Sequence, residues 1–303
     1  MGISLLKKRL ARNELLILDG AMGTELQRKG VKTQLPLWSA SALISSPALV
    51  REIHESYIAA GADIITTNTF RTQKRTLAKA GIAEKTRGLN FLAVKLAKGA
   101  VKNSGNRNCL VAGGIAPLED CYSPELSPAY VQAKKEHSEN AKFLADAGAD
   151  FFLIETMNTL HEARAALEAC RSTGKGAMVS FVCNDNGKLL NGEPLSESMH
   201  SLMNLKPLAF LVNCISVSTA NRVAKILARE SPIAWGIYAQ GLGKPDDKLG
   251  WKFTRGNMKD YFSAAKKWRK EGAAIIGGCC GTNPETISQL SGLKSGNSTV
   301  FKR

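Results

Sequence analysis

At 303 residues, with 44% hydrophobic and 22% charged residues, the chain is long enough to bury a large core and too apolar to be disordered as a whole. Its formal net charge of +15 comes from scattered lysines and arginines; the short clusters Lys7–Arg12 and Lys266–Lys270 carry no stripe of interleaved aromatics, which argues against nucleic acid and for solvated helix faces. No apolar run reaches the ~20 residues of a membrane span, the N-terminal basic cluster follows its short apolar piece instead of preceding it, and seven cysteines without dense pairing suit a reducing compartment, so a cytoplasmic protein is expected.

The predicted elements alternate along the chain. A first apolar run, LLILDG (Leu15–Gly20), is followed by the helical pattern of Pro47–Gly61, which leads into AGADIITTN (Ala60–Asn68). CLVAGGI (Cys109–Ile115) comes next, then a helix over Tyr130–Gly148 feeding AGADFFLIET (Ala147–Thr156), then a helix over Thr159–Gly174. Four more runs complete the series: AMVSFVC (Ala177–Cys183), AFLVNCIS (Ala209–Ser216), IAWGIYA (Ile233–Ala239) and EGAAIIGGC (Glu271–Cys279). Three of these junctions share one grammar, a helix end, a glycine able to take the left-handed cap, then a buried strand, which is half of a βαβ unit. Eight short buried strands in one series with helices imply a parallel sheet, and favour a closed (β/α)8 TIM barrel over an open doubly wound sheet. One domain over residues 1–303 is expected, with its core from about residue 13 to 290 and a loose polar tail over 291–303. Long Gly/Pro/Asp-rich stretches follow strands three, five and seven, as functional loops of such a barrel do.

The strand ends carry the chemistry. Asp19 ends the first run, Thr66–Asn68 the second, Gly113–Pro117 the third and Glu155 the fourth; the sixth ends on Asn213 and Cys214, the eighth on Cys279 and Cys280. A barrel gathers these side chains at one mouth. The four histidines fall on helical segments and end no strand; Cys109, Cys121, Cys170 and Cys183 read as packing residues.

Three thiols on one rim suggest zinc with one open coordination position, an arrangement suited to catalysis. Adjacent ligands need a sharp bend, which glycines at 277, 278 and 281 permit, and TNPE (Thr282–Glu285) then starts a helix with Asn283 or Thr282 as cap. Read from the residues alone, alternatives stay open: a strained disulfide between the neighbouring pair with Cys214 as apolar filler, or a glycine pair that cradles phosphate, although two thiols would intrude on the anion. A three-thiolate zinc with an open corner binds and ionises a thiol substrate, so alkyl transfer to sulfur fits better than hydrolysis. Asp19 and Glu155 either form a mouth salt bridge or cap, or receive the ammonium group of an amino-acid substrate.

These motifs, LDGAMGTELQRKG, GGIAP, the ET ending strand four, the NC ending strand six and GGCCGTNP, resemble in order and over about residues 13 to 290 the zinc-dependent homocysteine S-methyltransferase family. The resemblance implies a (β/α)8 barrel in which Cys214, Cys279 and Cys280 hold zinc, homocysteine sulfur takes the fourth position, Asp19 and Glu155 grip the substrate amino group, and Asn213 supports the site. PLWSA (Pro36–Ala40) is similar to the small stand-alone branch that uses S-methylmethionine, and sometimes S-adenosylmethionine; TTNTF (Thr66–Phe70) is nearer to methionine synthase, and YAQG (Tyr238–Gly241) stands where many relatives carry Pro-Asn. The expected partners are therefore small molecules, homocysteine and a methyl-sulfonium donor, which Trp38, Phe70 or Tyr122 would meet by cation–π attraction. The alternative is a homocysteine-binding barrel that takes its methyl from a corrinoid protein or other separate carrier. A third reading, without catalysis, is a zinc or redox sensor.

Overall fold

Residues 2–246 and 250–295 are described by the computed structural model. Eight parallel strands form one sheet: β1 (Leu16–Ile17), β2 (Ile64–Thr66), β3 (Leu110–Ile115), β4 (Phe151–Met157), β5 (Ala177–Phe181), β6 (Phe210–Asn213) and β7 (Trp235–Tyr238), then, beyond an antiparallel hairpin of β8 (Lys244–Asp246) and β9 (Gly250–Lys252), β10 (Ile275–Ile276). The order β1-β10-β7-β6-β5-β4-β3-β2 brings the first strand beside the last. Leu18 bridges Ile64 in parallel, Asp19 N donates to Ile64 O at 2.9 Å and Asp63 N donates to Ile17 O at 2.7 Å, so the sheet closes on itself. The expected (β/α)8 barrel is the fold observed, with each of the eight apolar runs supplying one barrel strand.

The strands are unbroken apolar runs because both faces are buried. Alternate residues such as Leu16, Ile64, Ala112, Phe151 and Leu153 fill the barrel interior, while Ile17, Ile65, Val111, Phe152 and Ile154 pack outward against the helices. A helix over Gly2–Ala11 precedes the barrel and sends Leu6, fully buried, into the interior cluster with Leu16, Phe151 and Met178. The contacts of that helix lie before the strands, near Asp150 and Gly176, so it plugs the end opposite the strand termini that carry the polar residues.

Asp63 ties this lower end together. Its carboxylate accepts from Ile17 N at 2.8 Å and pairs with Arg9 at 2.9 Å and Lys294 at 2.7 Å. Lys294 belongs to a short 3-10 turn over Gly292–Ser295; residues 296–303 of the expected loose tail lie outside the described residues. No helix among the described residues is long and apolar enough to cross a membrane.

The plug makes a direct prediction. Replacing Leu6 by Ala should cost about 2–5 kcal/mol of stability, the range for a truncated, fully buried leucine, read as a lowered denaturant midpoint at an unchanged slope.

Candidate active site

Asp19 and Glu155 reach the mouth by different local devices. Asp19 follows β1 and is 5% exposed; its Oδ2 accepts from Thr66 N at 2.8 Å and its Oδ1 from the Thr66 hydroxyl at 3.3 Å. Burial pushes its carboxyl up to about 8, against the lowering effect of the Thr66 donors. Glu155 lies in β4, where the pairing with β5 shifts register between Ile154 and Met157 and Thr156 takes a left-handed φ of 65°. Such an irregularity re-aims a side chain at the end of a strand. Glu155 Oε2 accepts from the Tyr238 hydroxyl at 3.0 Å, and burial, with Cys279 nearby, raises its carboxyl to about 8.

The three thiols converge as expected. The sulfurs of Cys214, Cys279 and Cys280 all lie within 4.8 Å of one another, and a set of this kind can hold a metal ion. Cys214 is set by a left-handed backbone, φ 53°, directly after β6. Its Sγ lies 2.7 Å from Cys279 Sγ, and the hydrogen bond between the two sulfurs holds Cys279 well below the usual thiol range and pushes Cys214 up. Asn213 is the hub between these pieces: its Oδ1 accepts from Ser180 at 2.7 Å, its Nδ2 donates to Thr156 Oγ1 at 2.8 Å, and Cys279 Sγ lies 4.0 Å away. All seven cysteines are free, so the neighbouring pair forms no disulfide.

The loop that carries Cys279 and Cys280 is seated from both sides. Gly278 N donates to Asp19 O, Cys279 N to Ala239 O and Thr282 N to Cys279 O, and Gly281 N donates to Thr24 Oγ1 at 3.0 Å. Those amides are spoken for, which removes the phosphate alternative. Of the three expected bend glycines only Gly281 is left-handed, φ 86°, where a side chain would also strike the backbone of Gly241 and Leu242. Arg28 clamps the far side, donating to Gly281 O at 2.6 Å, Thr282 O at 2.8 Å and Glu25 at 2.9 Å. Asn283 caps the helix that follows, its side chain accepting from Thr286 N, with Pro284 in the first turn.

A cavity of about 220 Å³ opens above these groups. Trp38, Phe70 and Tyr122 line it, joined by Trp251 from the hairpin. Gly250 presses on Trp38 so closely that a Cβ there would fall 1.7 Å from the ring. The loops after β3 and β7 contribute as anticipated, but no described residue of the strand-five loop lines the cavity, because that segment folds on itself through bridges at Cys183–Leu189 and Lys188–Pro194. The segment after β1, with Leu35, Trp38 and Ser39, takes its place.

Several lining or supporting residues had no role assigned from the sequence, although Tyr238 and Gln240 lie in the YAQG stretch noted there. Tyr238 ends β7 and bonds Glu155; Gln240 donates to the Cys214 carbonyl at 3.1 Å and to Tyr122 at 3.0 Å. Cys121, read as a packing residue, is buried but lines the cavity, and burial pushes its thiol up to about 12. Tyr238 obeyed the strand-end rule that found Asp19; the others sit in loops. None of the four histidines lines the cavity.

Fold and site define a barrel enzyme with a thiol triad beside two buried carboxyls at its working end. The chain belongs to the homocysteine S-methyltransferase family, whose model matches residues 16–293. Homocysteine S-methyltransferase YbgG of Bacillus subtilis is 30% identical over 296 residues, 91% of this chain and 93% of its own length. The homocysteine S-methyltransferase of Escherichia coli is 29% identical over 301 residues, 94% of this chain and 97% of its own. The crystal structure of the Escherichia coli homocysteine methyltransferase MmuM in its metallated form superposes with a TM-score of 0.82 at 28% identity, covering 95% of this chain and 99% of that one.

The raised carboxyl of Asp19 sets a pH signature. Its folded value of about 8 lies above the value near 3.9 of an unfolded aspartate, so between these limits the folded protein binds a proton that the unfolded chain has released. Stability from this group is fully present below pH ~4 and is lost as pH rises toward ~8. Asp19→Asn, which keeps an acceptor for Thr66 N, should therefore gain stability relative to the parent as pH rises from about 5 to 8, measured by denaturant midpoints at each pH.

Proposed function

We propose that this enzyme uses zinc to transfer a methyl group from S-methylmethionine, with S-adenosylmethionine as a second donor, to the thiol of L-homocysteine. The observation that carries the reading is the convergence of three sulfurs from two distant strand ends beside two buried carboxyls. Zinc–thiolate bonds of about 2.3 Å in a tetrahedron set sulfurs about 3.8 Å apart, a spacing that fits thiols within 4.8 Å of one another. Cys214, Cys279 and Cys280 are the proposed ligands. Zinc held there would keep a thiol substrate ionised at neutral pH.

Asp19 and Glu155 receive the homocysteine ammonium group, since carboxyls kept near neutrality by burial ionise when a cation arrives beside them. Tyr238 orients Glu155, and Asn213 holds the ends of β4 and β6 together under the substrate. Trp38, Phe70, Tyr122 and Trp251 exclude water and offer π faces to a sulfonium, worth about 0.5–2 kcal/mol each when close. As the bond from homocysteine sulfur to the methyl carbon forms, the bond from that carbon to the donor sulfonium breaks, and the donor's electron pair leaves on a neutral thioether. With S-methylmethionine the balance is two methionines and one proton, and no acid is needed for the leaving group. The hairpin-covered cavity favours a free small donor over a corrinoid carrier. Reduced thiols require a reducing compartment, consistent with the cytoplasm.

Protein purified without chelators should carry about one zinc per chain, and Cys279→Ala or Cys280→Ala should abolish both the metal and methionine formation. Absence of zinc, with no thiol methylation after zinc is added, would overturn the reading. Turnover only with a methylated corrinoid protein, and none with free S-methylmethionine, would overturn the donor assignment.

A further inference from the structure

Among the described residues that line the cavity there are four carboxylates, Asp19, Glu155, Asp120 and Asp246, and a single cation, Arg71. Its side chain is only 13% exposed, yet its contacts are long: Nη1 lies 3.5 Å from the Glu119 carbonyl, Nη2 4.0 Å from Asp120 Oδ2, and the guanidinium carbon 5.6 Å from the centre of the Phe70 ring. A guanidinium offers five donors in a rigid fork that matches a carboxylate, and among the described residues no carboxylate comes nearer to Arg71 than Asp120 at 4.0 Å, which leaves the fork able to take a substrate anion.

The loop position of Arg71, away from the strand ends, points to which anion. Asp19 and Glu155 sit at the strand ends, level with the thiols, whereas Arg71 lies five residues beyond the end of β2 and faces a loop stretch four and five residues beyond the end of β3. It lines the cavity next to Phe70 and Asp120, on the loops beyond β2 and β3, and no hydrogen bond or ion pair joins it to Asp19, Glu155 or the three thiols.

We propose that Arg71 binds the α-carboxylate of the methyl donor and so restricts the enzyme to sulfonium compounds that carry an amino-acid carboxylate. This rests on the donor reading above. Arg71 is a specificity-determining residue with no part in bond making. The arrangement gives a role to the single cation among the described lining residues: each substrate amino acid brings a positive group for the carboxylates, and the donor carboxylate needs a cation of its own.

The test compares the zinc-loaded parent with Arg71→Met and Arg71→Lys in steady-state assays. Arg71→Met should raise KM for S-methylmethionine about 10- to 100-fold, as expected for loss of a charge-assisted pair, with kcat and the KM for homocysteine changed less than about threefold. Arg71→Lys should recover part of the loss, because it restores the charge without the fork. The decarboxylated donor, 3-aminopropyl dimethylsulfonium, should be a poor substrate that parent and Arg71→Met use equally. Thermal midpoints of the variants should match the parent, since the native contacts being removed are long. A rise confined to the homocysteine KM would overturn the assignment by giving Arg71 to the acceptor carboxylate, and unchanged constants for both substrates would overturn it by making Arg71 structural. Failure of the parent itself to use any free sulfonium would mark the donor reading, and not this residue, as the point of error.

Discussion

The seam between β1 and β2 is the constraint on which the rest depends. It is the weakest ladder of the barrel, a single parallel bridge at Leu18 and Ile64, and two aspartates clasp it reciprocally. Below, Asp63 from the β2 side accepts from the backbone of Ile17; above, Asp19 from the β1 side accepts from the backbone of Thr66. Without closure here, Asp19 would not stand beside Gly278, and the loop with Cys279 and Cys280 would lose the neighbour that seats it. Asp19 is thus both a clasp and a candidate substrate group. Its structural reading and its functional reading hold together, because the oxygens that accept from Thr66 keep further lone pairs, and the carboxyl that burial holds near neutrality ionises when an ammonium arrives beside it.

Around that seam the site is assembled from elements that are individually unfavourable. Two carboxyls are buried to the point of resisting ionisation, and three thiols are crowded at one point. Isolated, each feature opposes folding. Together they form a receptor whose internal conflicts are relieved by what enters it: a cation for the carboxylates and, in our reading, a metal for the sulfurs. Arg28 and Asn213 keep the pieces in register meanwhile, the first by holding the carbonyls after the neighbouring cysteines, the second by joining β4, β5 and β6 beneath them.

Much of this was legible in the chain because parallel barrel strands, buried on both faces, are written as continuous apolar runs, and the first polar residue after each run lies at the mouth. That rule found Asp19, Glu155, Asn213 and Cys214. It passed over Tyr238, whose ring reads as part of an apolar run while its hydroxyl works for Glu155. Arg71, Gln240 and Trp251 escaped for another reason: a loop's course is set by contacts distant in sequence, and no periodicity records it. The same limit misled the reading of the strand-five loop, whose glycines and proline serve its own turns. The N-terminal plug was missed because a ten-residue amphipathic helix with a basic surface looks alike whether it covers a barrel or floats in solvent.

Thr156 and Cys214, both left-handed without being glycine, flank the hydrogen bond from Asn213 that links their strands. Each conformation costs on the order of 1–2 kcal/mol for a residue with a Cβ, and for β-branched Thr156 it is a marked outlier. Glycine would relax the backbone at either position. At 156 it would also remove the buried hydroxyl that accepts from Asn213, so only at 214 does the relief come without the loss of that bond. A search for thermostable variants of this protein, if run without an activity screen, would accordingly drift toward glycine at 214 and discard the very sulfur that the strain holds in place.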